Sequence, residues 1–280
     1  MTDDTRPHPG PRIHRIEHCM GTVFSLDVRD PAPGVEAAVG QVVDWLHRVD
    51  ATFSTYRPDS PISRLGRGET SLDDGPDEVA EVLALCADAT AVSDGYFTTT
   101  PGGALDPSGL VKGWAIERAS ALLRAAGSTR HAINGGGDLQ LAGEPAPGRP
   151  WRIGIADPLH PRLLATIVTG SEMAVATSGT AERGAHVLNP HTGRPAADLA
   201  SITLVGRHLT AVDAYATAAL AMGRRARDWV ERMPDIEAFA VTPTGGTWQT
   251  RGFPAAAPVV DLNAFAPGRG TTMPMAPGPA

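Results

Sequence analysis

The chain has 280 residues and carries 24 Lys and Arg against 31 Asp and Glu, a formal net charge of −7 at pH 7. This acidic balance argues against a nucleic-acid footprint, which needs a basic surface. An anionic ligand would therefore have to be attracted by a local cation or metal ion. The two cysteines, Cys19 and Cys86, are too few for a disulfide framework or a thiolate metal site.

Apolar residues make up 42% of the chain, which is ordinary for a globular protein and sufficient for a substantial core. No apolar run approaches the length of a membrane span. The first residues, MTDDTRPHPGPR, lack the hydrophobic segment of a secretory signal, so we expect a cytoplasmic protein. Residues 1–11 and 266–280 are polar and rich in Pro, and we expect them to be disordered tails around one domain over 12–265.

In chain order, strand-like and amphipathic segments alternate irregularly along this domain. Segments with strand character are 12–29, as two strands around Met20-Gly21-Thr22, then 131–133, 139–143, 151–155, 163–168, 172–176 and 201–205, with a hairpin over 236–253. Segments with a helical apolar period are 35–53, 76–93, the part of 106–127 after the loop DPSG, 209–223 and 224–233, and a polar loop covers 52–68. Thr210 is the predicted N-cap of its helix. Because the strands form antiparallel-looking groups, the predicted fold class is α+β, with a largely antiparallel sheet and flanking helices.

The most polar stretch runs from Thr177 to Gly193 and reads TSGTAERGAHVLNPHTG. Its flanks have strand character, and Asn189-Pro190 and Thr192-Gly193 are turn sequences. Hydroxyls, imidazoles and exposed backbone N–H groups on a turn suit a phosphate-bearing ligand. A polar hairpin tip would have the same composition, so the stretch alone leaves both interpretations open.

Two glycine-bearing segments are further candidates for a ligand site. The segment 134–138, NGGGD, lacks the spacing and following helix of a dinucleotide fingerprint, which excludes a Rossmann site. It permits close approach of the backbone to a ligand, but a glycine-rich hairpin turn explains it better when it is taken alone. Asp106 and Lys112 span a loop-to-helix boundary that favours an anion, and Gly109 between them offers a carbonyl to a cation. Taken alone, Asp106 is better explained as a helix-start residue.

Asp213 and Thr217 lie one helical turn apart in a segment whose other residues are nearly all apolar. Two oxygen side chains on one face of such a helix are costly if they are buried without a partner. An oxygen-ligated divalent ion would be such a partner, and Mg²⁺ is suitable when phosphates complete its coordination shell. The alternative is a helix start in which Thr217 bonds back to the carbonyl of Asp213.

Taken together, these stretches resemble one family, the FAD:protein FMN transferases of the thiamine-biosynthesis-lipoprotein (ApbE) type. The matching pieces, in the family's order from about residue 13 to 253, are Met20-Gly21-Thr22, FSTYRPDSPISRL, DPSGLVKGWAIE, INGGGD, ATSGT, HVLNPHTGRP and AVDAYATAAL. The resemblance implies a single ApbE-like (T-fold-like) α+β unit with FAD in a cleft and Mg²⁺ at its pyrophosphate.

The resemblance also implies roles for individual residues at the matching positions. The FAD site would be formed by Met20, Tyr56, Tyr96, Phe97, Thr98, Asp106, Lys112, Asn134, Gly135, Gly136, Asp138 and Val187. The metal would be held by Asp213, Thr217 and the carbonyl of Gly109, and His186 is the candidate general base.

Two departures from the family pattern concern the same site. The chain reads FTTTPGGALDPSG where the family usually has a longer segment like FDITVGP with an Asp. Some members carry an acidic residue just before the Thr217 position, where this chain has Ala216, which leaves fewer carboxylates for Mg²⁺. Members of the family are often exported with a lipid anchor, and we expect a cytoplasmic member here.

The implied reaction is Mg²⁺-dependent phosphoryl transfer from FAD to a target flavoprotein. A Thr or Ser hydroxyl of the target attacks the FMN-side phosphorus, and AMP leaves. An FAD pyrophosphatase giving FMN and AMP would use the same site with water, and would release AMP quickly without an acceptor. A non-catalytic FAD-binding protein would leave FAD intact with Mg²⁺ present.

Overall fold

The computed structural model of the protein describes residues 11–160, 162–180 and 187–254. In chain order the elements are β1 (Ile13–Cys19), β2 (Thr22–Val28), α1 (Val35–Phe53), α2 (Pro61–Gly66), α3 (Asp77–Val92), α4 (Ser108–Ala125), β3 (His131–Gly135), β4 (Asp138–Ala142), β5 (Trp151–Ala156), β6 (Leu164–Gly170), β7 (Met173–Gly179), β8 (Leu188–Asn189), β9 (Arg194–Pro195), β10 (Ser201–Gly206), α5 (Leu209–Met222), α6 (Ala226–Val230), β11 (Glu237–Val241) and β12 (Thr247–Gln249). The predicted tails lie outside the described residues, apart from Pro11.

The central feature is an eight-stranded sheet in the order β1-β2-β3-β4-β7-β10-β11-β12. All seven pairings in it are antiparallel. Two short hairpins, β5-β6 and β8-β9, lie outside this sheet. The predicted α+β class with a largely antiparallel sheet is therefore confirmed.

Each face of the sheet is covered by a different layer, and β7 shows how. Ala174 and Ala176 belong to the apolar core shared with the long helices α1, α4 and α5. Met173 and Val175 belong to a second cluster, with Trp151 and other residues of the β5-β6 hairpin. Alternate side chains of a strand point to opposite faces. A strand covered on both faces therefore reads as a continuous apolar run, as 173–176 does.

Helix α2 corrects the predicted loop over 52–68. Ser60 caps this helix, because its Oγ accepts a hydrogen bond from the Ser63 N–H at 3.2 Å. Pro61 follows at the first helical position, where its missing N–H has no cost. The Ser-Pro signal was present in the sequence, but a helix of six residues shows too little apolar period to be recognised.

Helix α5 begins at Leu209 as predicted, but its N-cap was predicted incorrectly, since the N-cap residue is His208 and not Thr210. The backbone N–H of Thr210 donates to a Glu117 carboxylate oxygen at 2.9 Å, and the Leu209 N–H donates to Gln140 Oε1 at 3.1 Å. Side chains of α4 and β4 therefore satisfy the free donors of this helix end. At the other end of the helical region, α6 is shorter than the predicted helix over 224–233.

No helix among the residues that the structure describes is long and apolar enough to cross a bilayer.

His131 on β3 is a completely buried histidine held between two serine hydroxyls. Its Nε2 lies 2.8 Å from Ser120 Oγ, and its Nδ1 lies 3.0 Å from Ser128 Oγ. Burial, with a smaller contribution from the Arg124 charge, lowers the pKa of His131 from its ordinary 6.5 to about 4. The imidazole is therefore neutral in the folded protein at neutral pH.

This pKa shift predicts acid-sensitive stability. Between pH 6.5 and 4 the unfolded chain binds a proton at His131 that the folded chain does not bind. The free energy of unfolding should therefore be highest above pH 6.5 and fall as the pH approaches 4, by about 3 kcal/mol in total from this group. Urea unfolding at a series of pH values should show a flatter profile for His131→Gln. A slope equal to that of the wild type would contradict this assignment.

Candidate functional site

The candidate site lies at one end of the central sheet, where two hairpin turns and the last residues of β7 meet. The Gly136 N–H of the β3-β4 turn donates to the Val23 carbonyl of β2 at 3.2 Å. On the other side, the Thr177 N–H of β7 donates to Asp138 Oδ1 at 2.9 Å. The antiparallel order of these strands thus brings the segments 20–22, 134–138 and 177–179 to the same end of the sheet.

Both turns are two-residue hairpins with positive φ at each central residue. Met20 and Gly21 have φ of 50° and 68°, and Gly136 and Gly137 have φ of 60° and 98°. Such turns match the twist of the strands that they join. Asn134 Oδ1 accepts a hydrogen bond from the Gly137 N–H at 2.9 Å and fixes its own turn. The hairpin interpretation of NGGGD is therefore correct, and contact of its backbone with a flavin stays a prediction.

Three charged side chains form a compact cluster beside this end of the sheet. Lys112 Nζ pairs with Asp138 Oδ2 and lies 3.1 Å from Asp213 Oδ2. The Asp213 oxygen also accepts a hydrogen bond from the Gly113 N–H at 2.9 Å. Asp138 was predicted at the flavin, Lys112 at the diphosphate and Asp213 at the metal, and the structure brings both carboxylates into contact with Lys112.

Gly113 allows the helices that carry this cluster to approach each other closely. A Cβ placed on Gly113 would lie 2.6 Å from the Leu209 carbonyl oxygen and 2.7 Å from Asp213 Cβ. Only a residue without a side chain fits this contact between α4 and α5. Sequence reasoning missed Gly113, although a glycine inside a helical segment is a signal of close packing.

The three predicted metal ligands lie together where α4 begins against α5. A Cβ placed on Gly109 would lie 3.7 Å from Thr217 Oγ1, and Asp213 is one turn before Thr217 on α5. Thr217 Oγ1 lies 3.5 Å from Ser178 Oγ on β7, a hydroxyl that sequence reasoning did not assign. This contact directs the threonine hydroxyl across to the sheet and not back to the Asp213 carbonyl, and the role of Thr217 as a metal ligand stays a prediction.

The oxygen atoms of Asp213, Thr217 and Gly109 suit a hard divalent ion. A carboxylate, a hydroxyl and a backbone carbonyl are the oxygen ligands that Mg²⁺ takes, with phosphates completing its shell. In a regular α-helix the Gly113 N–H donates to the Gly109 carbonyl. Here the same N–H donates to Asp213 Oδ2. Within the described ranges, no group of three or more His, Cys, Asp or Glu side chains forms a metal site. A metal ion bound here would therefore take its further ligands from the phosphates of a bound substrate.

Asp106 has the local role that its position suggested. Its Oδ1 accepts a hydrogen bond from the Ser108 N–H at 2.9 Å, so the carboxylate supports the first turn of α4. A negative charge at a helix start is favourable. Contact between Asp106 and FAD stays a prediction.

The segment 96–98 packs against the start of α4 through Phe97. Phe97 is buried, and a Cβ placed on Gly109 would lie 3.2 Å from Phe97 Cε2. Tyr96 packs edge-on against His191 with ring centroids 4.5 Å apart. A cavity of about 650 Å³ borders Tyr96 and His191. Thr98 Oγ1 lies 3.3 Å from Thr100 Oγ1, where the family usually has its Asp side chain.

The remaining predicted residues have different surroundings. Tyr56 is 96% exposed, so its ring is free of the core and accessible to a planar ligand. Val187 is half-buried and packs against the helix-side core. His186, the candidate general base, lies outside the described residues, and its role stays a prediction.

The fold and the site together define a class of protein. The protein is an α+β domain whose antiparallel sheet has an oxygen-rich cluster beside the start of a helix. The ApbE family model matches residues 20–104 and 98–240, so the chain belongs to the ApbE family. The family resemblance predicted from the motifs is therefore confirmed.

Individual relatives agree with this membership. The chain is 28% identical over 255 residues to an FAD:protein FMN transferase of Rhodobacter capsulatus, which covers 83% of this chain and 45% of that protein. It is 24% identical over 276 residues to an FAD:protein FMN transferase of Vibrio cholerae, with 77% and 83% covered. The chain thus spans less than half of the Rhodobacter protein.

Solved structures share the fold. The flavin transferase ApbE from Vibrio cholerae has a TM-score of 0.76 at 21% identity, covering 87% of this chain and 98% of that chain. The ApbE protein from Thermotoga maritima also has a TM-score of 0.76 at 21% identity, covering 86% and 97%. The architecture is therefore that of known ApbE structures.

Proposed function

We propose that this protein is an FAD:protein FMN transferase. It moves FMN from FAD to a Thr or Ser hydroxyl of a target flavoprotein and releases AMP. The proposal rests mainly on one observation, the meeting of Asp213, Thr217 and Gly109 at the start of α4, with Lys112 beside them. The names of the relatives in the ApbE family support the same activity.

The start of α4 is the part of the site that binds the diphosphate of FAD. The Ser108 N–H donates to Asp106, and the Leu110 and Val111 N–H groups donate to the Pro107 carbonyl. The helix dipole is therefore the main contribution of this helix start to anion binding. Lys112 adds a full positive charge one turn further along the same helix. Tyr56, with its exposed ring, offers a stacking surface for an aromatic part of FAD.

The ligands for Mg²⁺ are held by neighbouring groups. The Gly113 N–H orients the Asp213 carboxylate, and Ser178 lies against the Thr217 hydroxyl. Mg²⁺ bound there would neutralise the charge that develops on the diphosphate during transfer. Ala216 is fully buried among apolar residues, so this chain supplies no second carboxylate from that position.

The chemical step exchanges one P–O bond for another. The hydroxyl oxygen of the target bonds to the FMN-side phosphorus, and the bond from that phosphorus to the bridging oxygen of AMP breaks. The hydroxyl proton passes to His186, because an imidazole with an ordinary pKa of about 6.5 accepts a proton at neutral pH.

Replacement of His186 by Ala tests the general base. We expect FAD binding to be retained and the transfer rate to fall at least about 100-fold, as for loss of a general base. Flavin fluorescence titration would measure binding, and the mass gain of the acceptor would measure transfer. Transfer at the wild-type rate would remove His186 from the mechanism.

The function itself is tested by the intact mass of a candidate flavoprotein subunit after incubation with this protein, FAD and Mg²⁺. A mass gain of one FMN, with equimolar AMP, is the expected result. AMP and free FMN without a mass gain would show hydrolysis instead, and intact FAD would show a binding protein. The cytoplasmic location stays a prediction, which cell fractionation would test.

A further inference from the structure

The Lys112 cluster, formed by Lys112, Asp138 and Asp213, holds two carboxylates and one ammonium group. The side chains of Asp138 and Asp213 are only 5% and 8% exposed, and that of Lys112 is 21% exposed. Two carboxylates so far from water are unfavourable without a cation. Lys112 supplies that cation for both of them, so the cluster is neutralised in part by the protein itself.

Lys112 also contacts one oxygen of the carboxylate that a divalent ion would need. Its ammonium group is 3.1 Å from Asp213 Oδ2, the oxygen that the Gly113 N–H also approaches. Two positive groups a few ångströms apart repel each other strongly when they are shielded from water. A divalent ion can therefore use Asp213 fully only if Lys112 moves away from it.

Asp138 provides the place to which Lys112 can withdraw. Its Oδ2 pairs with Lys112, while its Oδ1 is held by the Thr177 N–H of β7 at 2.9 Å. Asp138 is thus fixed to the sheet, whereas Lys112 is a flexible side chain with several rotamers. The ammonium group can leave Asp213 and remain paired with Asp138.

We propose that Lys112 competes with the divalent ion for Asp213 until a diphosphate is bound, and that Asp138 is the positioning residue that retains Lys112 in the site. The diphosphate adds negative charge that attracts both cations, so Lys112 and the metal then no longer exclude each other. Metal binding thereby depends on the nucleotide substrate. This inference rests on the proposed function for the assignment of Asp213 as a metal ligand.

The test is Mn²⁺ affinity in the full chain without FAD, measured by electron paramagnetic resonance of free Mn²⁺. Lys112→Met should bind Mn²⁺ at least about tenfold more tightly than the wild type, because a repelling charge is removed. Asp138→Asn should bind it several-fold more weakly, because Lys112 then has Asp213 as its only carboxylate. The asparagine Oδ1 still accepts the Thr177 N–H, which keeps the local backbone unchanged.

Matched variants separate this effect from general changes of charge or stability. Arg118→Met removes a positive charge from an exposed position of the same helix, where Arg118 pairs with Glu81, and should leave Mn²⁺ affinity unchanged. Lys112→Gln replaces Lys112→Met if the latter fails to fold, with the same expected direction. Thermal unfolding with and without Mn²⁺ gives a second readout, since tighter binding raises the Tm.

The failure of this inference is distinguishable from failure of the proposed function. An Mn²⁺ affinity that stays equal or falls in Lys112→Met, while Asp213→Asn abolishes binding, would overturn the competition and leave the metal site standing. Unchanged Mn²⁺ binding in Asp213→Asn would overturn the metal assignment, and with it this inference.

Discussion

Asp213→Asn is expected to lower the kcat/KM of FMN transfer by about 1000-fold or more, equivalent to about 4 kcal/mol of lost transition-state stabilisation. The substitution preserves the shape of the side chain and keeps an oxygen that can accept from the Gly113 N–H, so α4 and α5 should stay packed. It removes the charged oxygen ligand from a pocket that has few others. FAD binding through the start of α4 should be weakened much less than turnover.

The measurement is the initial rate of mass gain of an acceptor flavoprotein at a range of Mg²⁺ concentrations. Asp73→Asn is a suitable control, because it removes an exposed carboxylate from the loop between α2 and α3. The control should retain the wild-type rate. If Asp213→Asn kept that rate as well, the assignment of Asp213 to the metal would be incorrect.

Much of the fold could be predicted because its signals are local. The bounds of α1 were predicted correctly, since Val39, Val42, Leu46 and Val49 repeat with the helical period and are all buried. The β1-β2 hairpin and the apolar first half of β7 could be recognised because their sequence signals are also local. Helix α2 and the N-cap of α5 could not be predicted, because they depend on a single cap or on groups from other elements.

The site could be predicted only in parts. The spacing of Asp213 and Thr217 places both on one helical face, and a sequence shows that directly. The contact of Lys112 with Asp213 joins residues 101 positions apart, which no local pattern reveals. Asp138 was assigned to the flavin because its segment matched a family motif, and its pairing with Lys112 becomes visible only when β4 lies beside α4.

Gly113→Ala is expected to destabilise the protein by about 3 kcal/mol or more, because the added methyl overpacks a contact that is already close. One of the atoms that it meets is the backbone carbonyl oxygen of Leu209, 2.6 Å from the new Cβ, and backbone cannot move aside like a flexible side chain. The helices α4 and α5 would have to separate, and α5 would carry Asp213 away from the Gly113 N–H. FMN transfer should therefore fall together with stability.

Gly40→Ala is the matched control, since Gly40 is an exposed position of α1 where an added Cβ meets no atom within 4 Å. Alanine is favoured over glycine in a helix, so this variant should be more stable by roughly 0.5–1 kcal/mol. Urea unfolding of both variants would compare the two changes directly. Changes of opposite sign in the free energy of unfolding would show that the stability of the fold depends on the close approach of α4 and α5. Equal effects would mean that the two helices lie further apart than the contact at Gly113 requires, and Asp213 would lose its fixed place beside Lys112.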